Sequence, residues 1–568
     1  MKWRELLRQG LDYLTTYNMT DIELLKTLGS EIEGDLEFSE EVLEKYSRDA
    51  SLFKVVPHAV VWPKSSADIQ IVIMFVREYK LEFPWLSITA RAAGTDMTGG
   101  AIGEGIILDT TKYMNAESVD IEKLEASVEP GVFFRDFEKE TLPNHISLPI
   151  YPASKSLAAL GGMIMNNCGG EKTLRYGQIN NFVNEVVMNL SDGSQYTFKK
   201  LNREELDVKL SQTDFEGEIY NKMYSLITEN YDVIKNAKPK TSKNSSGYQL
   251  WNVYDKEKDT FDLSQLFVGS QGTLGIMSDA KVRLIKTREH KRLVVLFLKE
   301  WQGLPDIVNK LLPVGPESME TFDDVTLKLG IRFMPQIAKN LGQSFFSFAL
   351  KFLPEVLMGI RMLGLPKLIV LVEIVEDTEE EAILKTKMVK EAMDNMKVLS
   401  RVVDTEEESE KYWAMRRESF ALLRKSVKTK KTAPFIEDVC VLPKHLPEVL
   451  PQIISVLKQY GINVNIAGHA GSGNLHIIPL MDLSDPAERS KILDVSDKIY
   501  EIIIKYGGTI TAEHNDGIIR TPYVVDMFGI NVYQIFQKTK NIFDPENIFN
   551  PGKKVGGTKE YIKDHMAE

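Results

Sequence analysis

The stretch "ARAAGTDMTGGAIG", residues 90–103, follows the apolar run "LSIT" and packs small residues around Thr95 and Thr98. Only small residues let consecutive backbone N–H groups approach a pyrophosphate, so the segment is a candidate anion cradle; taken singly, it is equally a tight turn. No GK[ST] follows, so it is not a Walker A loop, and it is not a GxGxxG opening a helix. Two more clusters, "GGMIMNNCGG" at 161–170 and "GSQGTLGIMSDA" at 269–280, lie in the same region. Three glycine-rich approaches in one domain point to a long, flat ligand that backbone touches repeatedly.

Outward from these loops, residues 55–288 alternate short β-rich runs with turns: "HAVVWP", "GIILD", "LEASVEPGV", "EVVMNLSDGS". That pattern is α+β and not a regular βαβ winding. At "KRLVVLFLK" a second unit begins, with helices expected over "EEEAILKTKMVKEAMDNM" and "EVLPQIISVLKQYG" and strands over "KLIVLVEIV" and "VNIAG". An antiparallel sheet backed by helices is the expected arrangement. The expected division is an N-terminal helical segment over 1–50, a ligand-binding domain over 51–288, a second domain over 289–555 and a tail over 556–568.

The 568 residues exceed what one hydrophobic core usually spans. With 69 basic and 81 acidic residues the net charge is −12, which argues against nucleic acid as a partner. The two cysteines, Cys168 and Cys440, form no CxxC pair, so a structural zinc knot, a disulfide framework and a self-contained iron–sulfur cluster are unsupported. A reducing cytoplasm is the expected compartment. "MKWRELLRQGLDYLTTYN" reads as an amphipathic helix without the apolar core of a signal peptide. The most apolar region, residues 345–375, is broken by Lys351, Pro354, Glu355, Arg361, Pro366 and Lys367 into pieces too short to span a bilayer. A helix followed by a buried strand is expected there, with peripheral contact at the inner face of the membrane as the alternative.

"AGHAGSGNLH", residues 467–476, spends two of the chain's eight histidines seven positions apart. Gly468, Gly471 and Gly473 make a helix improbable, so a loop running into a strand is expected, with His469 before the turn and His476 near the strand's start. The spacing alone leaves open a metal site, an acid/base pair or two ordinary polar residues.

Seven segments in order carry a wider likeness: "RAAGTDMTGGA", "VEPGVFFRDFEKE", "YPASKSLAALGGMIMNNCGGEKTLRYGQINNFVNEVVMNLSDGS", "LFVGSQGTLGI", "GHAGSGNLH", "AEHNDGIIRTPYV" and "IFDPENIFNPGKK". Over about residues 45–555 the chain resembles the FAD-linked oxidase family of D-lactate, glycolate and D-2-hydroxyglutarate dehydrogenases, within the vanillyl-alcohol-oxidase-like flavoproteins. The resemblance implies an α+β, two-subdomain FAD-binding domain of the vanillyl-alcohol-oxidase/p-cresol-methylhydroxylase type and a C-terminal cap whose antiparallel sheet covers the flavin. It implies that Ala92, Ala93, Gly94, Thr95 and Asp96, with Gly99 and Gly100, hold the pyrophosphate. Pro152, Ser154, Gly161, Gly162, Asn166, Gly169 and Gly170 would run along the flavin, Gly272, Gly275 and Ile276 would close over the remainder, and Asn550 would return to it. No histidine flanks the first two loops, so non-covalent FAD is expected.

The same likeness makes His469, His476 and Glu513 the ligands of a divalent metal such as zinc, and His514 the base. Two imidazoles and a carboxylate leave open positions from which a metal polarises a substrate hydroxyl. Arg416, in "WAMRRES", matches the family's carboxylate-gripping arginine, and Lys243 and Tyr248, in "SKNSSGYQLW", match a loop near the flavin edge. Arg417 is expected on a solvated helix face. "FIEDVCVLP" fits a strand bearing Glu437 and Asp438; one metal-dependent branch has a substrate-binding lysine near here that this chain lacks, which counts against D-2-hydroxyglutarate. Ser472 stands where the family often has Asp, and Asn515 where it usually has Gly.

The implied activity is oxidation of a D-2-hydroxy acid, D-lactate, glycolate or similar, to the 2-oxo acid. A flavin-dependent alkyl transferase of ether-lipid synthesis on the same fold, a zinc hydrolase using His469, His476 and Glu513, and a flavin-binding component that needs a partner for turnover are the alternatives. Larger relatives append iron–sulfur domains and this chain ends soon after "NPGKK", so electrons are expected to leave to a quinone, an electron-transfer flavoprotein, an iron–sulfur protein or oxygen. A homodimer is compatible with this picture.

Overall fold

The computed structural model describes residues 20–336, 344, 364–403, 405, 406, 408–416 and 430–567. The amphipathic helix expected over 1–18, the apolar segment 345–363 and Arg417 lie outside the described residues.

Four strands, β1 (Asp35–Glu37), β2 (Ala59–Trp62), β3 (Ile88–Arg91) and β4 (Ile106–Asp109), form the first sheet in the order β1-β2-β4-β3. β4 runs parallel to both β2 and β3. Helix α1 (Ser66–Tyr79) covers it because Ile69, Val72, Ile73 and Val76 recur at helical spacing and all are buried. The first cradle loop leaves the end of β3, so a rigid parallel strand aims it.

The second sheet is antiparallel: β5 (Glu117–Asp120), β6 (Glu125–Val128), β7 (Val183–Asn189), β8 (Gln195–Lys199) and β9 (Ile276–Arg283), in the order β5-β6-β9-β7-β8. Its core is shared with α2 (Phe215–Glu229), whose Ile219, Tyr220, Met223 and Ile227 are buried. The third cradle segment runs directly into β9.

The cap carries an eight-stranded antiparallel sheet. Its strands are β10 (His290–Leu298), β11 (Ser318–Asp323), β12 (Leu368–Glu376), β13 (Leu399–Val403), β14 (Lys431–Thr432), β15 (Val439–Cys440), β16 (Asn463–His469) and β17 (Asn474–Met481). They are ordered β13-β10-β12-β11-β16-β17-β14, with β15 also on β17. β10 and β12 are buried on both faces along most of their length, which is why they read as continuous apolar runs. Along β10, Val294, Leu296 and Leu298 face one core and Leu293, Val295 and Phe297 the other. The first core is closed by α3 (Leu304–Leu311), α4 (Glu379–Asn395), α5 (Leu446–Gln459) and α6 (Pro486–Lys505). On the other face Tyr412, Trp413 and Met415 pack around Leu293, Val295 and Leu371, beside the polar residues of the site.

Three long-range pairings depart from the division expected from the sequence. β1 lies inside the N-terminal segment expected to be helical, yet it completes the first sheet by pairing with β2. Helix α7 (Val524–Phe543) buries Val532, Ile535, Phe536 and Phe543 in the core of the second sheet, not in the cap. The expected tail forms a helix, Lys559–His565, and returns to the first domain, where the Ala567 N–H donates to Leu52 O at 2.9 Å. Burying an apolar side chain contributes about 1.5–3 kcal/mol, enough to recruit such remote segments.

Candidate active site

The three glycine-rich segments converge. In the first loop Gly94 and Gly99 take φ of +66° and +86°, a left-handed backbone that glycine adopts without steric cost. Asp96 holds the loop's shape. Its Oδ2 accepts the Thr98 N–H at 3.0 Å, the Thr98 hydroxyl at 2.8 Å and the Gly100 N–H at 2.6 Å, while Oδ1 accepts Asn166 Nδ2 at 3.1 Å. Among the described contacts, the N–H groups of Ala93, Gly94 and Thr95 meet no acceptor within the chain, so they remain for an anion. A Cβ added at Gly162 would lie 3.6 Å from Ala92 and one at Gly272 3.4 Å from Ala90, so all three segments meet at van der Waals distance.

Asn550 ties the convergence together from the far end of the chain. Fully buried, it donates Nδ2 to Gly100 O at 2.9 Å and to Gln271 O at 2.8 Å, and its Oδ1 accepts the Thr89 hydroxyl at 3.2 Å. Pro152 and Ser154 lie in a half-buried turn where Ser154 O accepts the Leu157 and Ala158 N–H groups. Gly161 packs on Pro130, and Gly275 leads against Leu190 into Ile276 and β9. These residues fit a cofactor that carries a pyrophosphate. Cys168 is buried, and that burial pushes its thiol well above the usual range.

The second segment runs straight into a buried charged cluster. A Cβ at Gly169 would meet Glu513 Oε1 at 2.8 Å, and Gly170 O accepts Lys243 Nζ at 3.3 Å. Strands β16 and β17 form a hairpin about a short turn, Ala470–Ser472, so that His469 ends one strand and His476 sits on the next. The ligand atoms of His469, His476 and Glu513 lie within 4.8 Å of one another. The His469 and His476 rings meet edge to face at 5.1 Å, and His514 stacks on His476 at 5.3 Å.

Two glutamates hold the outer histidines. Glu320 on β11 meets His469 Nδ1 at 2.6 Å through Oε1 and accepts Arg416 Nε and Nη2 through Oε2 at 3.1 and 3.0 Å. Glu437 meets His514 Nδ1 at 2.8 Å and Arg520 Nη2 at 2.6 Å. Each pair fixes a ring through Nδ1, as outer partners of metal or acid/base histidines do. Asp438 Oδ2 accepts the Thr511 hydroxyl and the N–H groups of Ala512, Glu513 and His514, all at 2.8 Å, and so shapes the turn that presents Glu513 and His514.

Burial works against Glu320, but the charges of His469 and Arg416 hold it down to about 2. Glu437 and Glu513 are likewise kept well below the carboxylate range despite burial, by His514 and Arg520 and by Lys243 and His469 respectively. Burial lowers His476, whereas Glu437 and Asp438 overcome burial and push His514 up to about 10. Glu320 does the same for His469 in direction. Lys243, Arg416 and Arg520, together with the His469 and His514 rings whose charged forms are favoured, stand against the four carboxylates Glu320, Glu437, Asp438 and Glu513. Two groups bring ligand atoms within 4.8 Å of one another, His469 with His476 and Glu513, and Glu437 and Asp438 with His476 and His514, and either has donor chemistry suited to a divalent ion.

Of the residues singled out in the sequence, the structure brings Lys243, Arg416, His469, His476, Glu513 and His514 into this cluster. Tyr248 is buried elsewhere, under the third cradle segment, with its hydroxyl 2.7 Å from Thr273 Oγ1. Ser472 contributes its carbonyl, which accepts the Ser242 hydroxyl at 3.1 Å. Asn515 has φ of +71°, which explains why glycine is usual there, and Asn is among the residues that tolerate it. Its Nδ2 also bonds Gly269 O at 2.9 Å and Asn166 O at 3.2 Å, tying the cluster's turn to two cradle segments. Asn515→Gly keeps the backbone and loses these bonds, an expected cost of about 1–2 kcal/mol, whereas Asn515→Val adds strain and should cost at least about 3 kcal/mol. Urea unfolding of the two variants checks the difference. Glu320 and Arg520 were not anticipated.

Two family descriptions match the chain: "FAD binding domain" over residues 57–199 and "FAD linked oxidases, C-terminal domain" over residues 287–554. A D-2-hydroxyglutarate dehydrogenase of Escherichia coli (strain K12) is 28% identical over 520 residues, 89% of this chain and 49% of the relative. The chain thus spans about half the length of the first curated relatives it matches. A glycolate oxidase subunit GlcD of Bacillus subtilis (strain 168) is 26% identical over 89% of this chain and 91% of its own. Among solved structures, p-cresol methylhydroxylase aligns with a TM-score of 0.64 at 16% identity, over 96% of this chain and 98% of that one. An alkyldihydroxyacetonephosphate synthase aligns with a TM-score of 0.64 at 14% identity, over 94% of this chain and 85% of that one. Those two likenesses establish the fold and do not separate oxidation from alkyl transfer.

Proposed function

The chain belongs to the FAD-linked oxidase family, and from that premise we propose that it oxidises a D-2-hydroxy acid to the 2-oxo acid, using non-covalent FAD and a divalent metal. The observation that carries the reading is the contact of the cradle with the charged cluster: Gly169 abuts Glu513, and Gly170 accepts from Lys243. The segment 161–170, which would line the cofactor, therefore ends where the charged cluster begins.

Bound FAD supplies the two-electron acceptor, held by residues 92–100, 152–170, 272–276 and Asn550. A divalent ion held by His469, His476 and Glu513 supplies Lewis acidity at the substrate hydroxyl. The other roles fall to the chain itself. Arg416, paired with Glu320, is the cation assigned to the carboxylate of the substrate. His514, oriented through Nδ1 by Glu437, presents Nε2 as the atom that takes the hydroxyl proton, and it does so only in its neutral form.

Two tests follow from the roles of the ring partners. His469 carries its proton to higher pH than an ordinary histidine, and a ligand must be neutral, so ion binding expels protons. Zinc affinity should therefore be weaker at about pH 6 than at about pH 8, as read by competition with a chromogenic chelator. Glu320→Gln removes the charge that orients His469 and should weaken zinc binding about 10–100-fold.

Anaerobic mixing of the yellow protein with D-lactate, glycolate and D-2-hydroxyglutarate tests the reaction class. Bleaching of the flavin bands by at least one of them, and not by L-lactate, is the expected result. A flavin that none of these acids, nor longer D-2-hydroxy acids, can bleach would favour the transferase chemistry of the same fold.

A further inference from the structure

We propose that the Lys243 ammonium is the resident counter-cation of Glu513 and competes with the divalent ion for that carboxylate, so that Lys243 sets how tightly the site holds its metal. The inference rests on the reading of His469, His476 and Glu513 as metal ligands. Lys243 comes from the irregular segment between α2 and β9, and its side chain is wholly buried. Its Nζ meets three oxygens: Glu513 Oε1, Gly170 O at 3.3 Å and Asn474 Oδ1 at 3.4 Å. Only the first is charged and only the first is close.

Glu513 Oε1 also lies 3.4 Å from His469 Nε2, so the ammonium and a ligand imidazole converge on one oxygen. A divalent ion bound there would sit beside a like charge in a buried site, where repulsion is poorly screened. The two longer contacts offer the ammonium a place to move: Gly170 O and Asn474 Oδ1 are within reach without leaving the cluster. Metal binding is then an exchange of one cation for another, which keeps Glu513 compensated in both states and makes the ion exchangeable. A lysine that merely braced the site would act in the opposite direction, since its loss would loosen the ligands.

Zinc binding to the full-length FAD-loaded protein distinguishes the two. Lys243→Met keeps the length of the side chain and removes the charge; its zinc affinity, measured by chelator competition, should be at least tenfold tighter than that of the wild type, with Lys243→Arg close to wild type. The metal-free Lys243→Met protein carries an uncompensated Glu513, so it should melt below wild type and be raised more by zinc. Should the methionine variant not fold without metal, Lys243→Gln provides the same comparison. Equal or weaker zinc binding by the charge-removing variants overturns the role of Lys243 and leaves the metal site standing. Absence of zinc binding by wild type and variants alike overturns the metal site, and this proposal with it.

Discussion

His514→Ala is expected to keep its flavin spectrum and to reduce its flavin about 10³-fold more slowly with the preferred 2-hydroxy acid, within the usual range for loss of a general base. His514 lies outside the proposed ligand set and stacks on one of its members, 5.3 Å from His476. Its Nδ1 is committed to Glu437, and Glu437 is itself clamped by the fully buried Arg520. That leaves one ring nitrogen for chemistry. Glu437→Gln, which keeps the hydrogen-bonding shape and removes the charge, should give a smaller loss and shift the rising limb of the pH profile, where the base loses its proton, to lower pH. The direction follows from the sign of the perturbation: Glu437 favours the protonated ring, so without it the neutral base is reached at lower pH. Stopped-flow bleaching of both variants at saturating substrate reads these effects. A loss under tenfold for His514→Ala would assign the proton to another group.

Asn550→Ala is the second large effect expected, and it acts on the cofactor. The side chain is the joint between the first and third cradle segments and β3. Truncation strands two buried carbonyls, at about 1–3 kcal/mol each, and frees two loops whose mutual position the cofactor needs. The purified variant should hold FAD at least about a hundredfold more weakly and emerge largely colourless. Asn550 also has φ of +40°, so Asn550→Gly separates strain from hydrogen bonding: it relaxes the backbone yet should lose FAD to a similar degree. Retention of stoichiometric FAD by both would show that the cradle is held by something else.

The cradle was legible because its chemistry is local. Backbone that turns back on itself beside an anion demands small residues at consecutive positions, and three such segments are visible without any fold. The hairpin of His469 and His476 was legible for a similar reason: glycines forbade a helix, and the alternation after Gly473 marked a strand. The partners of the histidines were not. Glu320 lies 149 residues from His469 in the chain, and in "ESMETFDDV" it reads as one of several acids in a polar stretch. Only the sheet shows that Met319 points to the helices and Glu320 to the site. Arg520, in "GIIRTPY", looks like a lone charge in an apolar run, and its burial is explained by Glu437, 83 residues away.

Contacts that cross the expected domain limits were not legible, because their pairing is remote. Nothing local marks Asp35–Glu37 as the edge of a sheet built from residues 59–109, nor α7 as part of the core of the flavin-binding half. The family likeness places Tyr248 with Lys243 in one loop near the flavin edge, and the chain turns between them. Lys243 enters the cluster, and Tyr248 turns under Thr273.

The most direct test of the central claim is single-turnover flavin reduction before and after metal removal. Protein that bleaches with a D-2-hydroxy acid is dialysed against chelator, its FAD content is confirmed unchanged, and bleaching is repeated with and without added zinc or manganese. The predicted result is loss of bleaching by at least about 10²-fold on chelation and recovery on adding back the ion. Equal bleaching by the metal-free protein, with FAD retained, would contradict it.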